Sequence, residues 1–143
     1  MHTIASIAYI LTAISAHPAT TTDPCSLLTP TQVSAILGAP VAAGQPIAST
    51  GCSWSATGTK MFTTISMLDA NSFAAAKTPR AGLTKTPVTG IGDDAVYTTV
   101  GPFVTLSVKK GSTAFVLRVY GVTDQDKQMA LEKSLALDIV AKL

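Results

Sequence analysis

The sequence predicts an α+β fold: a mostly antiparallel sheet of five to six strands with a short N-terminal helix, a short mid-chain helix and a long C-terminal helix packed on it. Three observations lead there. Short runs of alternating apolar and polar residues are joined by tight Gly-containing turns, the pattern of antiparallel neighbours. Segments near both ends switch to helical spacing behind good N-caps. The hydrophobic share, 47%, is high and the charged share, 13%, is about half the usual, so the chain is globular rather than disordered.

Residues 1–19 read as a leader. The run 4–16 is apolar and uncharged, a Thr/Pro-rich spacer follows, and the stretch is too short to cross a bilayer, which takes ~20 residues. Small residues around 13–16 suit cleavage, although no Lys or Arg precedes the run. A retained N-terminal helix or strand is the alternative. Removal leaves 20–143, the length of one ordinary domain. Export to an oxidising space, secreted or periplasmic, makes the lone pair Cys25 and Cys52 a disulfide.

The first helix is predicted at 30–37. Thr29 caps it, Pro30 suits the first position, Gln32 completes a capping box, and Gly38 with Pro40 ends it. A weak strand near 45–48 follows. Residues 51–57 alternate, with Cys52, Trp54 and Ala56 on one side, and 60–68 form the next strand. Asp69 or Asn71 caps a short helix, 71–77, that ends before Thr78-Pro79. Residues 79–92, with two Pro and three Gly after Thr78, are expected as one long loop. Three strands come next, 95–100, 103–108 and 113–120, with Phe115, Leu117 and Val119 on one face of the last and Val116, Arg118 and Tyr120 on the other. The C-terminal helix, 124–142, starts from a Thr123/Asp126 capping box and carries Leu131, Leu135, Ile139 and Leu143 as its apolar stripe, flanked by Ala136 and Val140. Short connections between the strands place all helices on one face of the sheet.

Several segments together resemble a group of bacterial exported proteins and lipoproteins of unknown function, best known from actinobacteria. They are Asp23-Pro24-Cys25-Ser26-Leu27-Leu28-Thr29, Leu37-Gly38, Gly51-Cys52-Ser53-Trp54 and Gly90-Ile91-Gly92-Asp93-Asp94-Ala95, followed by the last helix. The order of elements is also similar to the Mog1/PsbP-like fold. The resemblance implies a fold but no activity, and the residues before Cys25 do not make the lipid-attachment motif of many members.

The chemistry open to the domain is narrow. Both histidines, His2 and His17, lie in or beside the leader, which disfavours a Ser-His-Asp triad, a Cys-His pair or a zinc site. The net charge is +2 with scattered Lys and Arg, so no nucleic-acid footprint is visible. No cofactor motif is present. Cys25 and Cys52 suit a structural staple rather than redox work, there being no C-x-x-C. Trp54 is expected to pack on that staple, with exposed ligand stacking as the alternative. Asp93 and Asp94, after the glycines, are candidate ligand or metal carboxylates, or else cap the turn. Arg80, Lys85 and Arg118 make an anion pocket if 79–92 folds over the sheet. Tyr97 and Tyr120 read as sheet-packing residues with wet hydroxyls. The expected function is an exported, non-enzymatic binding or structural module whose partner is a cell-envelope protein or a small ligand. The alternatives are a carboxylate- or metal-dependent hydrolase using Asp93 or Asp94, and an inhibitor of a secreted hydrolase presenting 79–92.

Overall fold

A computed structural model describes residues 22–143; the expected leader lies outside them. After a 3₁₀ turn, Pro24–Ser26, the elements are α1 (Pro30–Leu37), β1 (Gln45–Ile47), β2 (Gly51–Ser55), β3 (Phe62–Asp69), α2 (Ala70–Lys77), β4 (Thr84–Val88), β5 (Asp94–Val100), β6 (Phe103–Lys110), β7 (Thr113–Tyr120) and α3 (Gln125–Val140). The strands form one antiparallel sheet in the order β1-β2-β3-β7-β6-β5-β4. The meander β4 to β7 is laid against β1 to β3 by the pairing of β3 with β7, which runs from Phe62↔Tyr120 to Asp69↔Thr113.

The local signals that specify α1 all operate. Thr29 Oγ1 accepts the Gln32 N–H at 3.1 Å, Gln32 Oε1 accepts the Thr29 N–H at 2.9 Å, and Gly38 closes the helix at φ 74°. Asp69 caps α2 by accepting the Ser72 N–H at 2.7 Å. That backbone hydrogen bond, with the Ser72 side chain second, holds the Asp69 carboxyl below its ordinary value.

Three expectations are corrected. The sheet has seven strands, not five to six, because the expected loop 79–92 contains β4, paired with β5 from Thr84↔Thr99 to Val88↔Ala95. Pro87 hid it: proline is excluded from central strands but tolerated at an edge, and β4 is the edge. The helices do not share one face. α1 and α3 cover the side of Ile65, Leu106, Phe115 and Leu117, while Phe73 of α2 packs on Val96, Ala114 and Leu68 of the other. The alternate positions of β5 and β7 are apolar at that end, so a second, smaller cluster needed a cover. Finally, α3 is capped by Asp124, whose Oδ1 accepts the Lys127 N–H at 3.0 Å, not by a Thr123/Asp126 box.

Cys25 and Cys52 are disulfide-bonded across a sequence separation of 27, tying the 3₁₀ turn to β2. Trp54, 1% exposed, lies two residues along β2 on the same face. The segment before β1 crosses directly over both: a Cβ on Gly44 would stand 2.7 Å from Cys52 Sγ and 2.7 Å from Trp54 Nε1. Trp54 is therefore a packing residue beside the staple.

Opening the staple with Cys25→Ser plus Cys52→Ser removes the restraint on the unfolded chain and is expected to cost about 3–4 kcal/mol, read as a lower urea midpoint with a raised m value, because the unlinked denatured chain exposes more surface. Gly44→Ala overpacks the same spot, and an upper-range loss of about 1–3 kcal/mol is expected with the disulfide still formed, checked by thiol titration of the unfolded protein.

Candidate functional site

The ladder between the two central strands β6 and β7 is incomplete. It runs from Lys110↔Thr113 to Leu106↔Leu117 and stops there. On either side pairing continues, to Val100↔Phe103 between β5 and β6 and to Phe62↔Tyr120 between β3 and β7. The sheet thus splits at one end, and Val104 and Val119, two register steps on from Leu106↔Leu117 and both buried, lie across the split without a ladder partner on each other. Their backbone groups must find partners or cost free energy.

The partners come from α3. Gln128 Nε2 donates to the Val119 carbonyl at 2.8 Å and to the Val104 carbonyl at 3.2 Å. Glu132 Oε1 accepts the Val119 N–H at 3.0 Å and faces Gln128 Nε2 at 3.3 Å. One helical turn separates the two side chains, so a single face of α3 places both in the split. The other face of the sheet is bridged as well: Arg118 of β7 donates from Nε to Thr105 Oγ1 of β6 at 2.8 Å.

Above Gln128 the split opens into a cleft of about 410 Å³. Pro102 and Phe103 of the β5–β6 turn form one wall, and Val119, Tyr120 and Val122 the other. Lys60 and Thr123 stand at the exposed rim, and Gln128, 3% exposed, is the floor. The Tyr120 ring is held from behind by stacking on Phe62, with centroids 4.3 Å apart and planes 5° from parallel. The Arg118 guanidinium lies 5.5 Å from the Tyr120 ring centroid and 5.9 Å from that of Phe103, a cation–π clamp on both aromatic walls.

Burial dominates the electrostatics beneath the floor. It pushes the Glu132 carboxyl up to about 8, against the opposing pull of the Val119 N–H, the Gln128 amide and the Arg118 charge. Glu132 is accordingly a neutral acid at pH 7 with Oε2 lacking a partner among the described residues. Burial, with the Glu132 charge second, likewise pushes Tyr97 up to about 12. Its hydroxyl is not wet as expected: it donates to the Met129 carbonyl at 2.7 Å and anchors α3 to β5.

The residues singled out from the sequence fall elsewhere, apart from Arg118. Asp93 Oδ2 accepts the Gly111 N–H at 2.6 Å and Asp93 N donates to the Lys109 carbonyl at 2.8 Å. Gly92 precedes it at φ 57°, where a Cβ would meet that same carbonyl at 2.5 Å. Asp94 pairs with Lys77 at 2.6 Å. Both carboxylates are committed to turn and helix contacts, and no group of three or more His, Cys, Asp or Glu is placed to hold a metal among the described residues. Lys85 and Arg118 do share a face, in a row Lys85–Thr98–Thr105–Arg118–Thr64–Ser53–Gln45 across all seven strands. Two threonines separate the cations, and Lys85 Nζ donates to Thr98 at 2.9 Å. Arg80 is on an exposed turn, with no hydrogen bond or ion pair to either. The anion pocket is not assembled.

Gln128 and Glu132 escaped the sequence reading. The apolar stripe 131, 135, 139 and 143, flanked by Ala136 and Val140, shares Leu135, Ala136 and Ile139 with the buried line of α3 but leaves out its Gln128 and Glu132. The 4-3-4 spacing was visible; two polar residues on it argued against burial. Compared with known proteins, the chain matches no family model, no curated protein and no solved structure.

The Glu132 shift sets a pH dependence. The unfolded carboxyl titrates near its ordinary 4.5 and the folded one near 8, so the folded state holds the proton longer. Stability is therefore full below the lower value and falls as pH rises between the two, by on the order of a few kcal/mol. Glu132→Gln keeps the Oε1 acceptor and is expected to flatten that slope, measured as urea midpoints from pH 5 to pH 8.

Proposed function

We propose that this chain is an exported, disulfide-stapled binding module and that the cleft between the split ends of β6 and β7 is its ligand site. The observation that carries this reading is the split itself. An antiparallel pair gains by closing its ladder, yet here two central strands part and leave a concave space with apolar walls and a polar floor. About 410 Å³ lies within the range of small-molecule sites. The walls are preset, because Tyr120 is stacked and Arg118 clamps both rings, so little side-chain freedom is lost on binding. Export is supported by the leader-like first residues and by the Cys25–Cys52 disulfide, a bond that persists in oxidising compartments. No helix among the described residues is long and apolar enough to cross a membrane.

Anilinonaphthalene sulfonate, an apolar aromatic anion, tests the cleft directly. The folded protein is expected to enhance its fluorescence with one-site saturation. Val122→Trp fills the cleft from its outer wall, and is expected to abolish that saturation at an unchanged unfolding midpoint. Equal binding by both proteins would remove the cleft as the site.

A further inference from the structure

Resting on that reading of the cleft, we infer that its ligand is a small monoanionic aromatic molecule bearing a hydroxyl or N–H donor at the end opposite its negative charge. Three features of the site specify the three parts.

The donor follows from the floor. The Gln128 amide can be oriented one way only: Nε2 must face the Val104 and Val119 carbonyls, since turning it over would set Oε1 against two carbonyl oxygens. Oε1 is then left over, and no donor among the described residues reaches it. Gln128 is 3% exposed, and its unpartnered Oε1 keeps access to solvent through the cleft that it lines, so it is an acceptor for a ligand hydrogen, and a ligand that brings none leaves it desolvated. Glu132 adds a constraint from below. Its occupied Oε1 and neutral form hold the amide in place without presenting a negative charge to the ligand.

The ring follows from the walls. Phe103, 51% exposed, offers an aromatic face, while the Tyr120 ring, stacked on Phe62 and covered by Arg118, gives a fixed edge, and Pro102 and Val119 complete an apolar enclosure. The charge follows from the rim. Lys60 lines it with no ion-pair partner among the described residues. Asp124, next in sequence to the rim residue Thr123, keeps its negative charge as the α3 cap, and against it stand the two positive charges of Lys60 and of Arg118 over the Tyr120 and Phe103 rings. The mouth thus favours an anion, while the floor asks for a donor.

The test uses three probes that share a ring: 4-hydroxybenzoate (donor and charge), benzoate (charge alone) and phenol (donor alone). Binding to the full chain is followed by NMR titration of the Gln128 side-chain amide and the Phe103 and Tyr120 rings. 4-Hydroxybenzoate is expected to bind tightest, with benzoate weaker by about tenfold or more because the floor acceptor is left unpaired. Phenol is expected to be several-fold weaker, and Lys60→Ala, on an exposed residue, is expected to erase that last difference without moving the unfolding midpoint. Equal affinity for benzoate and 4-hydroxybenzoate would overturn the donor, and an unchanged preference in Lys60→Ala would overturn the role of the rim. If the naphthalene sulfonate binds the cleft and none of the three probes shifts these signals at millimolar concentration, the ligand class fails while the site stands. If neither does, both fall together.

Discussion

Two polar side chains of one helix hold apart the middle of a β-sheet. Gln128 and Glu132 take both backbone groups of Val119 and the carbonyl of Val104, which a closed ladder would otherwise use, and the cleft lies over these bonds. Sheets ordinarily satisfy such groups strand to strand, and an interior split is tolerated only when each donor and acceptor finds a substitute. Here Gln128 and Glu132 are those substitutes on the covered face, and on the open face a side-chain bridge from Arg118 to Thr105 spans the same split. The gap is thus a braced feature of the fold, not a frayed end.

That bracing requires α3 to sit at one height and rotation over β6 and β7, and the rest of the molecule supplies this. Tyr97 pins its first half through the Met129 carbonyl. The helix also packs on α1, and beyond its C-terminal end Lys142 Nζ donates to the Ser26 carbonyl at 3.2 Å. Ser26 adjoins Cys25, which the disulfide fixes to β2. A mechanical path therefore runs from the staple through the N-terminal segment to α3 and so to the floor of the cleft. The disulfide stands away from the cleft but belongs to the same construction.

The elements were largely readable along the chain, and each success has a local cause. α1 was legible because Thr29, Pro30, Gln32 and Gly38 act within a few residues of one another. The strands of the β5 to β7 meander were legible because Gly101 and Gly111 end their runs at positive φ. Each failure is a case in which a distant partner outweighed the local signal. Pro87 argued for a loop, yet an edge strand needs no donor on its outer side. The string Gly90 to Asp94 looked like a ligand loop because its residues are polar and small. Those properties serve Gly111 and Lys77 instead, 18 and 17 residues away from Asp93 and Asp94.

What the sequence by itself determined is what acts at short range: an α+β fold, most helix ends, strand faces and a lone cysteine pair. Alternation and capping are properties of neighbouring residues, so they are written where they act. The seventh strand, the placement of α2 on the far face and the site itself were decided only in the assembled structure. Gln128 and Glu132 have no meaning on an isolated helix, where two polar residues belong in water. They acquire one when β6 and β7 present them with unpaired backbone groups, and that need arises from the register of strands brought together from across the chain.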